Sequence, residues 1–480
     1  MKPNHPRALE EAWNHEQSGR RDQALAALRA LLEAEPRCAE GWTDLGGLLL
    51  LQGRREEAEQ CCARALREDR GCRTATLVLA CSLMGSGHLD EAERLCRGAL
   101  ARDPGSLDAL LALGKCLIKK GDLAQARTVL QRAGELGPGG RGLSRVLQAL
   151  FAAQDDWAER RRDLERALPH YSTQQHDYEE ASLCLLHGEF DRGWELYESR
   201  HGLPGSNSPV RHFSQPAWNG EAFPDRTLLL HWEQGLGDTL MFVRYASRVK
   251  RLGGRVLLLA QPSLADLVAT CPGVDQVIVH LADLPSFDLQ SPLLSLPRVF
   301  RTSLDSIPAE IPYLDVPGQV PNRQAIAAVL AAAHGRTRLG IAWAGSPTHT
   351  RDKQRSLPVD ALAPLGALSG VAWYSFQKDQ EPPASLPGVF PLAPLLGNFS
   401  DTAYALSGMD LVLAADTALA HLAGAMGIPT LLLLPYAPDF RWLLGRDDSP
   451  WYPSMRLFRQ PRPEDWSAVI RMVLRKLGAS

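Results

Sequence analysis

Leu228-Leu229-Leu230-His231-Trp232-Glu233-Gln234-Gly235-Leu236-Gly237-Asp238 joins an apolar run, a turn with two glycines, and an acid at the opening of a helix-like segment. Glycine lets the backbone turn tightly and come close to a ligand, and an acid in that position points from a strand end into a cleft. That is where α/β enzymes hold a catalytic group. Asp238 therefore has two readings, general base or ordinary helix cap, and its surroundings must decide between them.

Downstream of this stretch, apolar β-like runs alternate with helical patterns. Thr227 to His231 reads as a strand, Thr239 to Leu252 as a helix, Val256 to Ala260 as the next strand and Val274 to Val279 as a short third. This is a βαβ rhythm and implies a parallel sheet. A proline-rich stretch from Pro285 to Pro317 reads as a crossover. A second series begins at Arg338-Leu339-Gly340-Ile341-Ala342-Trp343-Ala344-Gly345, continues through Val371 to Gln377, and reaches Asp410 to Ala415 and Thr430 to Leu434. Two short doubly wound units predict two Rossmann-like lobes, 226–320 and 321–480, with ligands outside the carboxyl ends of the strands.

Upstream, the chain repeats itself. Trp42, Leu45, Gly46, Leu49, Gly53, Ala58, Cys62 and Ala65 are matched by Thr76, Leu79, Ala80, Leu83, Gly87, Ala92, Cys96 and Ala99. A third copy reads Leu110, Leu113, Gly114, Leu117, Gly121, Ala126, Leu130 and Ala133, and the spacing is the 34-residue period of tetratricopeptide repeats. Small residues let two antiparallel helices approach, and larger ones fill the seam between neighbouring repeats. After Gly137-Pro138-Gly139-Gly140 the period decays through a degenerate pair to about His170. It recovers from Asp177 to His201, whose Trp194 and Tyr197 read as a cap towards the next domain. The expected organisation is an α-solenoid over 1–201, a linker over 202–225 rich in Pro, Gly, Ser and Asn, and the two α/β lobes.

Bulk properties narrow the function. The 480 residues are 45% hydrophobic and 22% charged, a globular balance, and call for two or three compact units. A net charge of −3 gives no electrostatic footprint for nucleic acid. No apolar run approaches a membrane span, and Met1-Lys2-Pro3-Asn4-His5-Pro6-Arg7 lacks the core of a signal peptide, so a cytoplasmic protein is expected. The nine cysteines form no CxxC pair, and Cys62 and Cys96 fall at matching repeat positions, as reduced core residues would.

In the second lobe, Leu411-Val412-Leu413-Ala414-Ala415-Asp416-Thr417-Ala418-Leu419-Ala420-His421 carries a strand into a helix whose start offers free N–H groups, a setting that suits a diphosphate. Asp416 is either a plain N-cap or a donor contact, and His421 either packs silently or donates to a ligand oxygen. Gly345 to Pro358 is a polar basic loop after a strand, in which Lys353 and Arg355 are candidate phosphate ligands; the alternative is a solvated loop. Farther on, Leu434-Pro435-Tyr436-Ala437-Pro438-Asp439-Phe440-Arg441-Trp442 leaves Arg441 open as a ligand contact, whereas Trp451 reads as packing.

The order of Gly235-Leu236-Gly237-Asp238, the basic loop ending Arg355-Ser356-Leu357-Pro358, and Asp416-Thr417-Ala418-Leu419-Ala420-His421 resembles the ADP-heptose heptosyltransferase group, glycosyltransferase family nine. With its repeats, the chain is similar to bacterial repeat-bearing glycosyltransferases, including flagellin-modifying ones. The resemblance covers about residues 226 to 475 and implies a GT-B module working without a metal or other cofactor. It assigns Asp238 as general base and Arg355, Asp416, Thr417 and Ala418 to the donor side, to which the reading of the residues adds Gly235, Gly237, Lys353 and His421. Ala418 replaces the usual glycine and Arg355 a lysine, so the resemblance implies a nucleotide-sugar donor without fixing it as ADP-heptose. The implied function is transfer of sugar to a protein acceptor recruited by the repeats. Two alternatives stand beside it: a repeat scaffold with a silent α/β module, and a transferase acting on a lipid or saccharide.

Overall fold

The computed structural model describes residues 21–136, 173–201, 211–346 and 352–478 apart from positions 379, 387 and 463, together with positions 9, 12, 15, 143, 146, 150 and 203. The degenerate pair expected up to His170 and the centre of the basic loop, 347–351, lie outside the described residues. The chain divides into two compact units, Met1–Thr173 and Gln174–Ser480.

The first unit is built from antiparallel helix pairs. Its described helices are α1 (Arg21–Ala34), α2 (Ala39–Leu51), α3 (Arg55–Glu68), α4 (Arg73–Gly85), α5 (Leu89–Arg102), α6 (Leu107–Lys120) and α7 (Leu123–Leu136). The sequence period becomes geometry here. Ala58, Ala92 and Ala126, and likewise Cys62, Cys96 and Leu130, are at most 1% exposed. A side chain on Gly46 would put its Cβ 2.9 Å from Cys62 Sγ, and on Gly114 2.6 Å from Leu130 Cδ2, so the small residue is what lets the helices of each pair close. Gly53, Gly87 and Gly121 sit at φ 80, 84 and 81, turning the chain from the first helix of each pair into the second. Burial pushes the Cys62 and Cys96 thiols up to about 12, so both are neutral packing groups at ordinary pH.

The second unit opens with α8 (Thr173–Leu186) and α9 (Phe190–Tyr197), a pair the sequence groups with the solenoid. It keeps repeat geometry: Gly188 has φ 81, and a Cβ on Gly193 would lie 2.7 Å from Leu185 Cδ2. Its apolar face nevertheless belongs to the α/β part of the chain, because Trp194 meets Phe242, Phe440 and Trp451 edge-on at ring distances of 6.1, 5.9 and 6.4 Å.

The remainder of this unit holds two parallel sheets, the arrangement the βαβ rhythm predicts. The first has strand order β3-β2-β1-β4, with β1 (Thr227–His231), β2 (Arg255–Leu259), β3 (Gln276–Ile278) and β4 (Leu289–Pro292). The second has order β10-β9-β8-β5-β6-β7, with β5 (Thr337–Ala342), β6 (Val371–Ser375), β7 (Phe390–Pro391), β8 (Leu411–Ala415), β9 (Thr430–Leu434) and β10 (Met455–Arg459). Buried on both faces, the central strands are near-continuous leucine and alanine runs, as parallel sheets require.

One detail differs from the sequence reading. The described part of the 202–225 segment is docked rather than free: Trp218 and Phe223 are buried, and Ala217 runs parallel beside Gln290 of β4. Two aromatic anchors outweigh the local proline and glycine content. The C-terminal helix, α14 (Trp466–Lys476), packs Trp466, Val469, Ile470 and Val473 against Trp343 and Trp373 of the second sheet's core. Among the described residues no helix is long and apolar enough to cross a membrane.

Candidate functional site

Strand order locates the candidate site. In the first sheet the chain winds from β1 to β3 and then returns to the other side of β1, so the order reverses between β1 and β4. In the second it reverses between β5 and β8. Crevices at such reversals, at the carboxyl ends of the strands, are where open α/β sheets hold ligands. The turn Trp232–Gly237 leaves β1 at the first reversal, and Asp416-Thr417 leaves β8 at the second.

The two reversals meet. Helix α10 (Leu236–Phe242) follows the first turn and α13 (Ala418–Ala425) the second, and their starts abut. A Cβ on Gly237 would fall 2.8 Å from His421 Cδ2 and 3.7 Å from Ala418 Cα, so only glycine allows this approach without displacement. Gly235, with extended backbone, is the N-cap of α10.

Asp238 caps its own helix and is also engaged by an arginine far along the chain. Its Oδ2 accepts the Gly235 N–H at 2.8 Å, a local capping contact. Its Oδ1 accepts a hydrogen bond from Arg441, which arrives from the loop after β9 in the second sheet. Arg441 also donates through Nη1 to Asp439 Oδ1 at 2.6 Å and lies over the Phe440 ring, 4.4 Å from its centre. Burial alone favours neutral arginine, yet the Asp439 and Asp238 carboxylates hold its pKa well above the ordinary value.

On the second sheet's side, Thr417 rather than Asp416 occupies the N-cap of α13, with φ −141, and makes no side-chain cap bond. Its buried hydroxyl has no hydrogen-bond partner among the described residues. Asp416 precedes the cap, and burial with the nearby Asp439 charge pushes its carboxyl up to about 6, partly offset by Trp442, Arg355 and Arg441. Arg355 donates to the Asp416 carbonyl at 3.1 Å and pairs with Asp352 at 3.5 Å, tying the loop after β5 to the end of β8. Lys353 falls in the short helix Asp352–Arg355, and its side chain lies outside the described residues.

His421 is 5% exposed, stacked on Trp442 at 5.3 Å, and its Nδ1 is 2.9 Å from the Tyr452 hydroxyl. Its Nε2 is 4.0 Å from Asp416 Oδ1. Burial and the Arg441 charge depress its pKa to about 3, so it is a neutral imidazole at ordinary pH.

Sequence reasoning did not find the third wall. Tyr197 of α9 reaches Gln234 Oε1 at 3.5 Å and stacks on Tyr178 of α8 at 5.7 Å. Burial raises both tyrosines, and both sense the charges of Asp238 and Arg441. Arg200, which follows α9, donates to both oxygens of Glu233 at 3.2 and 3.0 Å and to Ser295 at 2.7 Å. The only sequence signal for this wall is the aromatic end of the last helix pair. Trp451 packs, as expected, at 1% exposure.

A helical repeat array followed by an α/β unit of two parallel sheets is thus the class the fold and site define. Models of the tetratricopeptide repeat match residues 9–71 and 83–150, and these segments are tetratricopeptide repeats. Protein FlbA of Caulobacter vibrioides is 26% identical over 331 residues, covering 62% of this chain and 55% of FlbA, so the chain spans about half the length of that relative. Among solved structures, the MamA protein is similar at 17% identity, covering 38% of this chain and 96% of that one with a TM-score of 0.31. TTC0263, a thermophilic TPR protein of Thermus thermophilus, is similar at 24% identity over 34% of this chain and 89% of its own, with a TM-score of 0.28. YrrB, described as a TPR protein with an unusual peptide-binding site, is similar at 17% identity over 36% and 90%, with a TM-score of 0.29.

Proposed function

We propose that the protein is a glycosyltransferase of GT-B architecture. In this reading it moves sugar from a nucleotide-activated donor to a polypeptide acceptor recruited by the tetratricopeptide repeats. The observation that carries it is the meeting of the two strand-order reversals, which sets Asp238 against Arg441 and beside the Asp416-Thr417 turn. Transfer of this kind needs a base for the acceptor hydroxyl and positive charge for the departing diphosphate. Asp238 would take the hydroxyl proton as the acceptor oxygen bonds to the anomeric carbon. The bond from that carbon to the phosphate oxygen breaks, and its electron pair leaves with the diphosphate beside Arg441 and Arg355.

The test incubates the full chain with a panel of nucleotide sugars and follows nucleotide release, then repeats it with Asp238→Asn. Release with at least one donor is expected, with a loss of about a hundredfold or more in the variant, as removal of a general base gives. Wild-type turnover in Asp238→Asn would refute the assignment. A second reading, a repeat scaffold with a silent α/β unit, is favoured by one observation, that both Asp238 oxygens are engaged in the protein itself. Absence of release with every donor would support it.

A further inference from the structure

We propose that Arg441 is the residue that takes the donor's diphosphate, and that without donor it is held by Asp238, so that carboxylate and diphosphate compete for one guanidinium. The ligand class rests on the glycosyltransferase reading; the competition rests on the geometry.

Arg441 is built as a shared group. Its side chain is 9% exposed, yet it reaches from the loop after β9 to a carboxylate on the other sheet. Asp439 is its local holder, accepting from both the Arg441 backbone N–H at 3.1 Å and Nη1 at 2.6 Å, and it sits two residues away on the same turn. Asp238 is the distant holder, through Nη2 alone. Among the described residues the buried Nε has no hydrogen-bond partner, which leaves one donor of the fork for another acceptor. Bidentate binding of phosphate is what a planar guanidinium does better than an ammonium.

Asp238 is built to stay behind. Its second oxygen is fixed by the Gly235 N–H at 2.8 Å, so the carboxylate keeps its orientation if Arg441 turns away. An oxygen receiving a charged hydrogen bond is not free to take a proton from a hydroxyl. Arrival of a diphosphate, more highly charged than a carboxylate, draws the guanidinium and bares Oδ1. At the start of α13, which abuts α10, the buried Thr417 hydroxyl has no hydrogen-bond partner among the described residues. The base is then released only when a leaving group is present, which keeps acceptor activation tied to donor occupancy.

Titration calorimetry of the full chain with inorganic pyrophosphate and with ADP tests this. Asp238→Asn removes the competitor, and its pyrophosphate affinity is expected to rise about tenfold, the scale of a charged hydrogen bond. Arg441→Met is expected to lose about tenfold or more, and the double variant to match Arg441→Met, with no gain from Asp238→Asn. Arg441→Lys, which keeps the charge without the fork, should fall between. Thermal melts of all variants establish that they are folded, and Asp238→Asn alone decides the question if Arg441→Met is not. Unchanged or weaker affinity in a folded Asp238→Asn overturns the competition, as does pyrophosphate binding to neither it nor the wild type. Wild-type affinity in Arg441→Met overturns the assignment of the ligand. Tightening with undiminished transfer would refute the base while the competition stands; lost transfer without tightening would do the reverse.

Discussion

Arg200→Met should destabilise the second unit far more than a typical surface change. Arg200 is 1% exposed and makes five hydrogen bonds: two to Glu233, one to Ser295 at 2.7 Å, one to Glu198 at 2.6 Å and one to the Tyr197 carbonyl at 3.1 Å. Methionine fills much of the volume but leaves Glu233, 3% exposed, as a buried carboxylate without its guanidinium partner, still accepting from the Leu294 N–H at 3.3 Å and with the His201 ring 3.4 Å away. Breaking one side of a buried pair costs about 3–5 kcal/mol, whereas replacing both partners by apolar groups is often near neutral. Urea unfolding followed by tryptophan fluorescence should therefore show that loss in Arg200→Met. Most of it should return in Arg200→Met/Glu233→Leu. The same network sets where the chain can be cut: truncation to Gln174 keeps the α8–α9 pair with the sheets, whereas truncation near Gly205 removes Arg200 and Trp194 and should give an unfolded or aggregating protein. A loss below about 1 kcal/mol in Arg200→Met, or a well-folded protein beginning at Gly205, would refute the view that this pair is structurally part of the second unit.

Asp416→Asn should stabilise the ligand-free protein in neutral solution. Its folded pKa of about 6 lies above the ordinary aspartate value of 3.8, so its charged form weakens the fold. Stability from this group is fully present below pH ~4 and falls as pH rises through 6. The variant's advantage, about 1–3 kcal/mol, should thus appear between these values in melts taken across pH, and a uniform shift at every pH would contradict the cause given. Arg355→Ala should weaken nucleotide-sugar binding by removing a cation beside Asp416, measured by calorimetry; unchanged affinity would move the donor elsewhere. In the repeats, Gly114→Val should cost about 1–3 kcal/mol by forcing Leu130 aside, whereas Gly47→Ala, with nothing within 4 Å of the added carbon, should gain about 0.5–1 kcal/mol. Equal effects of the two on the first unit's melting would show that close helix approach is not what the repeat glycines serve.

Much of this architecture was legible because the physics is periodic. Positions such as Gly46 and Gly114, or Cys62 and Cys96, repeat because each pair faces the same steric requirement, and one sequence suffices to see it. The βαβ rhythm and the two strand ends carrying Asp238 and Asp416 were visible for the same reason. What stayed hidden depends on contacts between distant segments. Asp238 and Arg441 are 203 residues apart, and no local pattern announces that the second closes on the first. The α8–α9 pair carries a repeat's own spacing, so its allegiance to the sheets is decided by partners such as Phe440 and Trp451 that lie far along the chain. Asp416 read as a cap by residue type, but the cap fell one position later, on Thr417.

Arg244 bears on how such a site can be entered. Wholly buried, it donates to the Met241 carbonyl at 2.7 Å, the Pro308 carbonyl at 3.1 Å, the Trp451 carbonyl at 2.6 Å and the Tyr313 hydroxyl at 2.8 Å. One guanidinium thus rivets the first sheet's helix, the crossover and the segment leading into β10. Swinging the sheets apart as rigid bodies would strand that cation among torn carbonyls, leaving a buried charge without its partners. Under the proposed function, a donor therefore has to enter with the two sheets clamped in the positions they hold here.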